Sequence, residues 1–480
     1  MSGLLIRSVE VARLDGHGER VDVRCDGGVI TEIGARLAHR AGEEVLDGAV
    51  AVLPGLHDHH LHLRAMAARA SSLDLSGARS PGDVADALQH ADRELPAGEW
   101  LRAVGLDDTD GETLRRHDLD RIVGGRPVRV QHRSGHLWIL NSAAIAAVGL
   151  DGEPRPGVER DDGAPTGRCF DIDDLLAERV PGTPPDALAE VGRRLSARGV
   201  TGVTDATPST RVEDLESLAA AHRDGVIPQR LTLTGGPGVA GIGLAGIGLA
   251  GRDRPAGVSL GPVKLVVSDH HPPDIEELAA EIAAAHDHDR AAAIHCVSRL
   301  ASVLGIAAWE LAGSRTGDRM EHGAVLPPDL VARLAALGVT VVTQPGFVAD
   351  RGDRYLAEVE ADDLDHLYPC GSLLDAGVPV GGSSDAPFGP DDPWLAMRTA
   401  VDRRTGSGHE LGSGERITPE QALGLFLTPP EAPGGEPRPI ELGTAADLCL
   451  LDCSQSRALA DLDATHVVAT VVDGVIVHRA

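Results

Sequence analysis

The middle of the chain alternates short apolar runs with Ala/Leu-rich amphipathic stretches, and the alternation has a nearly constant step. VTGVTDA (200–206), PQRLTLT (228–234), PVKLVVS (262–268), AAAIH (291–295), the segment ending in Glu321-His322, VTVVTQ (339–344) and VPVGGSS (378–384) read as strands. PDIEELAAEIAAAHDHD (273–289) and PPDLVARLAALG (327–338) read as helices between them. Strands separated by helices pair in parallel, because a parallel neighbour is reached only by a crossover. The later steps, from 264 to 295 to 322 to 344, each fit one βα unit of a (β/α)8 barrel. Adding AVLPGLH (51–57) and RPVRVQHR (126–133) gives nine strands for eight places. The surplus is RPVRVQHR, which lies in a polar stretch, 64–185, rich in Gly, Pro, Asp and Arg. That stretch is expected to be an insertion after the first barrel strand.

Both ends of the chain follow a different rule. LLIRSVEVARLDG and ERVDVRCDGGVITEIGARL alternate around a turn at Asp26-Gly27-Gly28, and AADLCLLD (445–452) and THVVATVVDGVIVHR (465–479) repeat the pattern. Period-two alternation around Asp-Gly turns is an antiparallel signal. Residues 1–52 and 431–480 are therefore expected to build one small β domain around a barrel at 53–430.

Composition narrows the function. A net charge of −29 argues against nucleic acid and anionic membrane, both of which need basic surface. The six cysteines are scattered without a CxxC pair, so neither a disulfide framework nor a zinc finger is indicated. The N-terminus lacks a basic segment followed by a long apolar core, which makes a cytoplasmic protein the expectation. Residues 231–251, LTLTGGPGVAGIGLAGIGLAG, are uncharged and contain GxGxxG twice. Eight glycines make a poor membrane helix, and Pro255 and Gly257 interrupt the helix that a dinucleotide fingerprint requires. The basic residues are 43 arginines and a single lysine, Lys264. In a chain so biased, the one lysine is expected where an amine that can lose its proton is needed and a guanidinium cannot serve.

In a (β/α)8 barrel the C-terminal strand ends share one mouth, where catalysis sits. The polar residues at those ends form a set: His57-Asp58-His59-His60-Leu61-His62, then Lys264, His295, His322 and Asp385. Residues i and i+2 of a strand share a face, so His60 and His62 both point into the mouth, while His57 and His59 point away. Imidazoles and carboxylates are normal ligands for Zn²⁺ and similar ions. A lone strand-end histidine is usually a hydrogen-bonded core residue; the ordered set is what points to a metal. By the same alternation Glu321, beside His322, is expected to turn away and be structural.

These residues also carry a family resemblance. LPGLHDHHLH (53–62) resembles the Pro-Gly-x-x-Asp-x-His-x-His signature of the amidohydrolase superfamily. The likeness continues through PVKLVVSDH, AIHCVS, RMEHGAVLPPDL, VTQPGF, SLLDAGVPVGGSSDAPFGPDDP and GTAADLCLLD. With RSGHLWILNSAAI (133–145) and GAPTGRC (163–169), the chain resembles amidohydrolase family 3, the branch of YtcJ-like proteins and N-substituted formamide deformylases. The resemblance implies a TIM barrel carrying a composite β-sandwich from both termini. It also implies a divalent metal site, with Zn²⁺ as one or two ions. His60, His62 and Asp385 would hold one ion, His295 and His322 a second, and an N-carboxylated Lys264 would bridge them. Three departures from relatives stand out: Ser268-Asp269-His270-His271 where Asp-Gly is common, Asp171 in place of a Glu, and Ala445 where a Lys usually precedes the Ala-Asp pair.

The expected chemistry is hydrolysis of an amide-like C–N bond in a small molecule by metal-activated hydroxide. Asp385 would shuttle the proton to the leaving nitrogen, and His322 would help orient the carbonyl. His136 and Asn141 are candidate substrate contacts, with a structural role equally open. A lyase or isomerase on the same site, or a non-catalytic metal binder, are the competing readings. Barrels of this kind often dimerise, which leaves a homodimer open.

Overall fold

The computed structural model describes residues 3–11, 20–107, 114–133, 135, 137–152, 155–170, 172–180, 185–243, 246, 257–269 and 272–480. His136, Asp171, His270, His271 and most of 244–256 lie outside the described residues.

Eight parallel strands form the barrel: β1 (Leu56–Leu61), β2 (Val200–Asp205), β3 (Arg230–Gly235), β4 (Val258–Val266), β5 (Ala292–Cys296), β6 (Arg319–His322), β7 (Thr340–Thr343) and β8 (Val380–Gly382). They pair in chain order from β1 to β8. The last side is closed by loop backbone, with Asp385 N donating to His60 O at 2.8 Å and His62 N to Ala386 O at 2.8 Å. Strands rich in Val, Ile and Leu are buried on both faces, as a sheet covered by its crossover helices must be. Register fixes the layers: Lys264 pairs with Ala293, and Val266 with His295. Outward positions such as Ile294 and Cys296 pack toward the helices, where the Cys296 thiol donates to Ala301 O.

The first barrel strand differs from the expected 51–57. Ala51–Pro54 belongs to the other sheet, paired antiparallel with Leu448–Leu451, and the barrel strand begins at Leu56 and runs through the histidines. Gly55 marks the change of direction, where a Cβ would stand 2.1 Å from the Thr201 side chain. Residues 51–61 thus serve both the terminal sheet and the barrel.

The termini build one eight-stranded sheet. Val475–Arg479, Val467–Val472, Leu448–Leu451, Ala51–Pro54, Leu4–Val11, Arg20–Asp26 and Val29–Gly34 follow in order, and Glu44–Leu46 pairs with Leu4–Val11. Ile30 N donates to Thr444 O at 2.9 Å and Gly443 N to Ile30 O at 2.8 Å, folding the first hairpin back onto the C-terminal strands. Leu4, Ile6, Val23, Ile30, Leu448, Leu450 and Val471 fill the space between the layers. This is the composite sandwich, and it forms one compact unit with the barrel, Met1–Leu63 with Val191–Ala480.

Arg64–Glu190 is a second compact unit. The surplus strand is found here as Val128–His132, in a six-stranded sheet with Leu73–Asp74, Leu101–Leu106, Leu137–Leu140, Ala164–Phe170 and Val158–Asp161. Asn141, a candidate substrate contact, has no capacity left for a ligand. Its Oδ1 accepts from Val128 N and Ala144 N, both at 2.9 Å, and its Nδ2 donates to Val123 O at 3.2 Å and Arg126 O at 2.9 Å. It caps the helix Ser142–Val148 and is fully buried, so its amide is a structural clasp.

No helix among the described residues is long and apolar enough to cross a membrane. LTLTG of the glycine-rich stretch is β3, followed by the 3₁₀ turn Pro237–Val239. All six cysteines are free thiols.

Replacing Asn141 with Ala strands four buried backbone groups. Urea denaturation of Asn141→Ala should show a loss of about 3 kcal/mol or more, since each unpartnered group costs roughly 1 kcal/mol upward. A variant of unchanged stability would contradict the clasp.

Candidate metal centre

β1 places Asp58, His60 and His62 on one face. His57 and His59 alternate outward and are held by threonines, with His57 Nε2 3.0 Å from Thr204 Oγ1 and His59 Nε2 3.0 Å from Thr428 Oγ1. The loop after β8 brings Asp385 against the inward pair: its Oδ1 lies 3.1 Å from His62 Nε2 and 3.5 Å from His60 Nε2. The three donor atoms fall within 4.8 Å of one another, a grouping suited to one ion. Asp58 ties the same strands together, its Oδ1 accepting from Ser384 N at 3.1 Å and His60 N at 3.2 Å. Burial pushes its carboxyl up to about 7 despite those bonds.

A second pair of donors faces the first. His322 Nε2 lies 2.9 Å from His295 Nδ1, and the His60 and His322 rings are 4.8 Å apart. Lys264 comes up from β4 into the same space. Its side chain is 2% exposed, and Nζ has no hydrogen-bond partner. Burial, only partly offset by the negative charge of Glu321, lowers the Lys264 ammonium to about 8. A buried, partnerless amine of this kind is a site for a further group, and it fits the bridging carbamate together with the four imidazoles and Asp385.

Burial also pushes His60, His295 and His322 below the ordinary imidazole range, so that they stand neutral, the form that binds metal. Burial alone would raise the Asp385 carboxyl. The His62 hydrogen bond, with the His322 and His60 rings beside it, outweighs burial and holds Asp385 below the usual range.

The free ring nitrogens are set by Glu321, expected from the sequence to be structural, and by Thr207 and Gln344, which the sequence reading passed over. His60 Nδ1 is hydrogen-bonded to Glu321 Oε2, which frees Nε2 for an ion. His62 Nδ1 lies 3.1 Å from Thr207 Oγ1, and His322 Nδ1 lies 2.8 Å from Gln344 Oε1. Gln344 is locked in turn by Ser383 Oγ at 2.9 Å. Such outer partners orient ligands and raise their basicity. Gln344 directly follows β7 and closes the apolar run VTVVTQ, so the strand-end rule that selected His295 would have found it; Thr207 lies two residues past β2 and carries no such signal.

Glu321 corrects the alternation argument. It does not turn away from the mouth but faces inward beside Arg319, whose Nε is 2.6 Å from Glu321 Oε1. The Arg319 and Lys264 charges and the His60 hydrogen bond overcome the effect of burial and hold Glu321 ionised. His322 would then point outward in a regular strand, but its backbone is left-handed, with φ 71°, and this turns the ring back into the mouth. Asp385 is left-handed too, at φ 54°. Non-glycine residues adopt this region at a cost and gather at functional sites.

Glu321→Gln keeps the volume and removes the charge that fixes the His60 tautomer. Metal affinity, measured by competition with a chromogenic chelator, should fall about 10- to 100-fold; an unaltered affinity would remove Glu321 from the centre.

The geometry agrees with what the chain is similar to. Residues 46–478 match the amidohydrolase family, Amidohydro_3. The amidohydrolase-type protein YtcJ of Bacillus subtilis (strain 168) is 30% identical over 468 residues, covering 85% of this chain and 86% of that protein. N-substituted formamide deformylase of Arthrobacter pascens is 29% identical, covering 99% and 98%. Among solved structures, an uncharacterized metal-dependent hydrolase from Pyrococcus horikoshii OT3 superposes with a TM-score of 0.76 at 21% identity, covering 94% of this chain and 98% of that one. On the match along almost its full length, the chain belongs to the amidohydrolase family.

Proposed function

We propose that the protein hydrolyses an amide-like C–N bond of a small molecule at a centre formed by His60, His62, Lys264, His295, His322 and Asp385. The observation that carries this reading is the convergence of four imidazoles, an aspartate and a partnerless buried amine at one barrel mouth. A donor set of four imidazoles with oxygen ligands suits Zn²⁺. A divalent ion bound there supplies Lewis acidity toward a carbonyl and acidifies water.

The protein's own groups do the rest. Asp385 lies beside both His60 and His62 and is ionised, so it can take a proton from the attacking water and deliver it to the leaving nitrogen. His322, with Nδ1 held by Gln344, keeps the Nε2 lone pair directed into the mouth beside His295, where it would hold an ion. Lys264, whose buried Nζ has no hydrogen-bond partner, would hold a metal ion as a carbamate, which supplies carboxylate-like oxygen ligands. A carbamate forms only on an uncharged amine, which is why this arginine-rich chain keeps a lysine here. The relatives named for amide and formamide hydrolysis favour a C–N bond as the target.

Two substitutions test the reading. Asp385→Asn should retain metal, measured by elemental analysis, yet lose about 10²- to 10⁴-fold in turnover, the usual contribution of general acid–base catalysis. Lys264→Arg should be as damaging as Lys264→Ala, although it conserves charge. Full activity in Lys264→Arg would rule out the carbamate.

A further inference from the structure

Large apolar side chains left open around a polar site mark a binding surface. Val266 is 49% exposed, Val297 41% and Phe388 42%, and all three stand at strand ends around the proposed centre. Val266 is two residues past Lys264 and pairs with His295, so it faces inward at the level of that imidazole, while Val267 turns outward and is buried. Val297 is two residues past His295. Phe388 is three past Asp385, and its ring meets the His62 imidazole edge-on, with centroids 5.4 Å apart. In the barrel order β4 and β5 lie across from β8 and β1. The valines and Phe388 therefore border the centre from opposite sides.

Composition strengthens the point. The chain has only 4 Phe and 2 Tyr, yet two of the former and both of the latter meet here. Phe347 and Tyr368 are buried with ring centroids 5.7 Å apart, and the Tyr355 and Tyr368 hydroxyls are 3.2 Å apart. The Arg351 guanidinium stacks 4.3 Å from the Phe347 centroid and donates to the Phe388 carbonyl. Gly389 runs so close to Phe347 that a Cβ would lie 3.1 Å from its ring. The backbone of Phe388 is held against this cluster while its ring stays open.

We infer that the substrate carries an uncharged alkyl or aryl group next to the scissile bond, received by Phe388, Val266 and Val297. This rests on the metal centre proposed above, since that centre fixes where the bond lies. Chain length and charge at this position then decide selectivity, because a carboxylate set against Phe388, Val266 and Val297 loses hydration without return from these apolar side chains.

Hydroxamates, which chelate metal through one end, test both layers without knowledge of the substrate. Calorimetry on metal-loaded protein would compare acetohydroxamate, hexanohydroxamate, benzohydroxamate and succinic monohydroxamate. Affinity should rise about 3- to 4-fold for each buried methylene from acetyl toward hexanoyl, and benzohydroxamate should exceed the charged succinyl compound. Val266→Ser and Phe388→Ser, checked for retained metal, should each shrink the hexanoyl-to-acetyl ratio. Equal affinities across the series, or ratios that neither substitution alters, would overturn the apolar subsite and leave the centre standing. Failure of acetohydroxamate to bind would overturn the centre, and the subsite with it.

Discussion

β8 meets β1 through two backbone hydrogen bonds, Asp385 N–H to the His60 carbonyl and His62 N–H to the Ala386 carbonyl. The Asp58 carboxylate adds a third link, accepting from Ser384 N across the same gap. Residues more than 300 positions apart in sequence are thereby fixed within hydrogen-bond reach, and Asp385 can lie against His60 and His62 only because this side of the barrel closes. The left-handed backbone at Asp385 belongs to the same junction. An open sheet of identical strands would keep His60 beside His62 and His295 beside His322, but it would leave Asp385 at the far edge from His60 and His62.

Inside the closed barrel, low polarity makes every donor and acceptor count. His60, His62 and His322 each have one ring nitrogen engaged, by Glu321, Thr207 and Gln344, and the other turned toward the centre. Burial keeps His60, His295 and His322 neutral, while the hydrogen bond to His62 helps hold Asp385 ionised. Arg319 anchors Glu321, so the His60 imidazole rests on a buried ion pair. Buried pairs of this sort contribute little net stability and a great deal of orientation.

Much of this was legible in the chain. The βα step located the later barrel strands, and period-two alternation located the terminal sheet, because both patterns follow from local geometry. Alternation also separated His60 and His62 from His57 and His59 correctly, since β1 is regular. The same rule failed at Glu321, where the left-handed φ of His322 lets both neighbours face the mouth. Asn141 looked like a pocket residue only as long as its four hydrogen-bond partners, spread over residues 123–144, were out of view.

The sequence by itself determined the class of fold, the order of the strand-end donors and the singular position of Lys264. Each of these depends on residue type and spacing, which are local properties. Only the tertiary structure decided which nitrogen of each histidine is free, that Lys264 Nζ lies buried without a partner, and that Phe388 and Val266 border the centre from opposite sides. Those facts come from barrel closure and from contacts between residues far apart in the chain, and no local pattern encodes the distance between strand ends once they have curled into a ring.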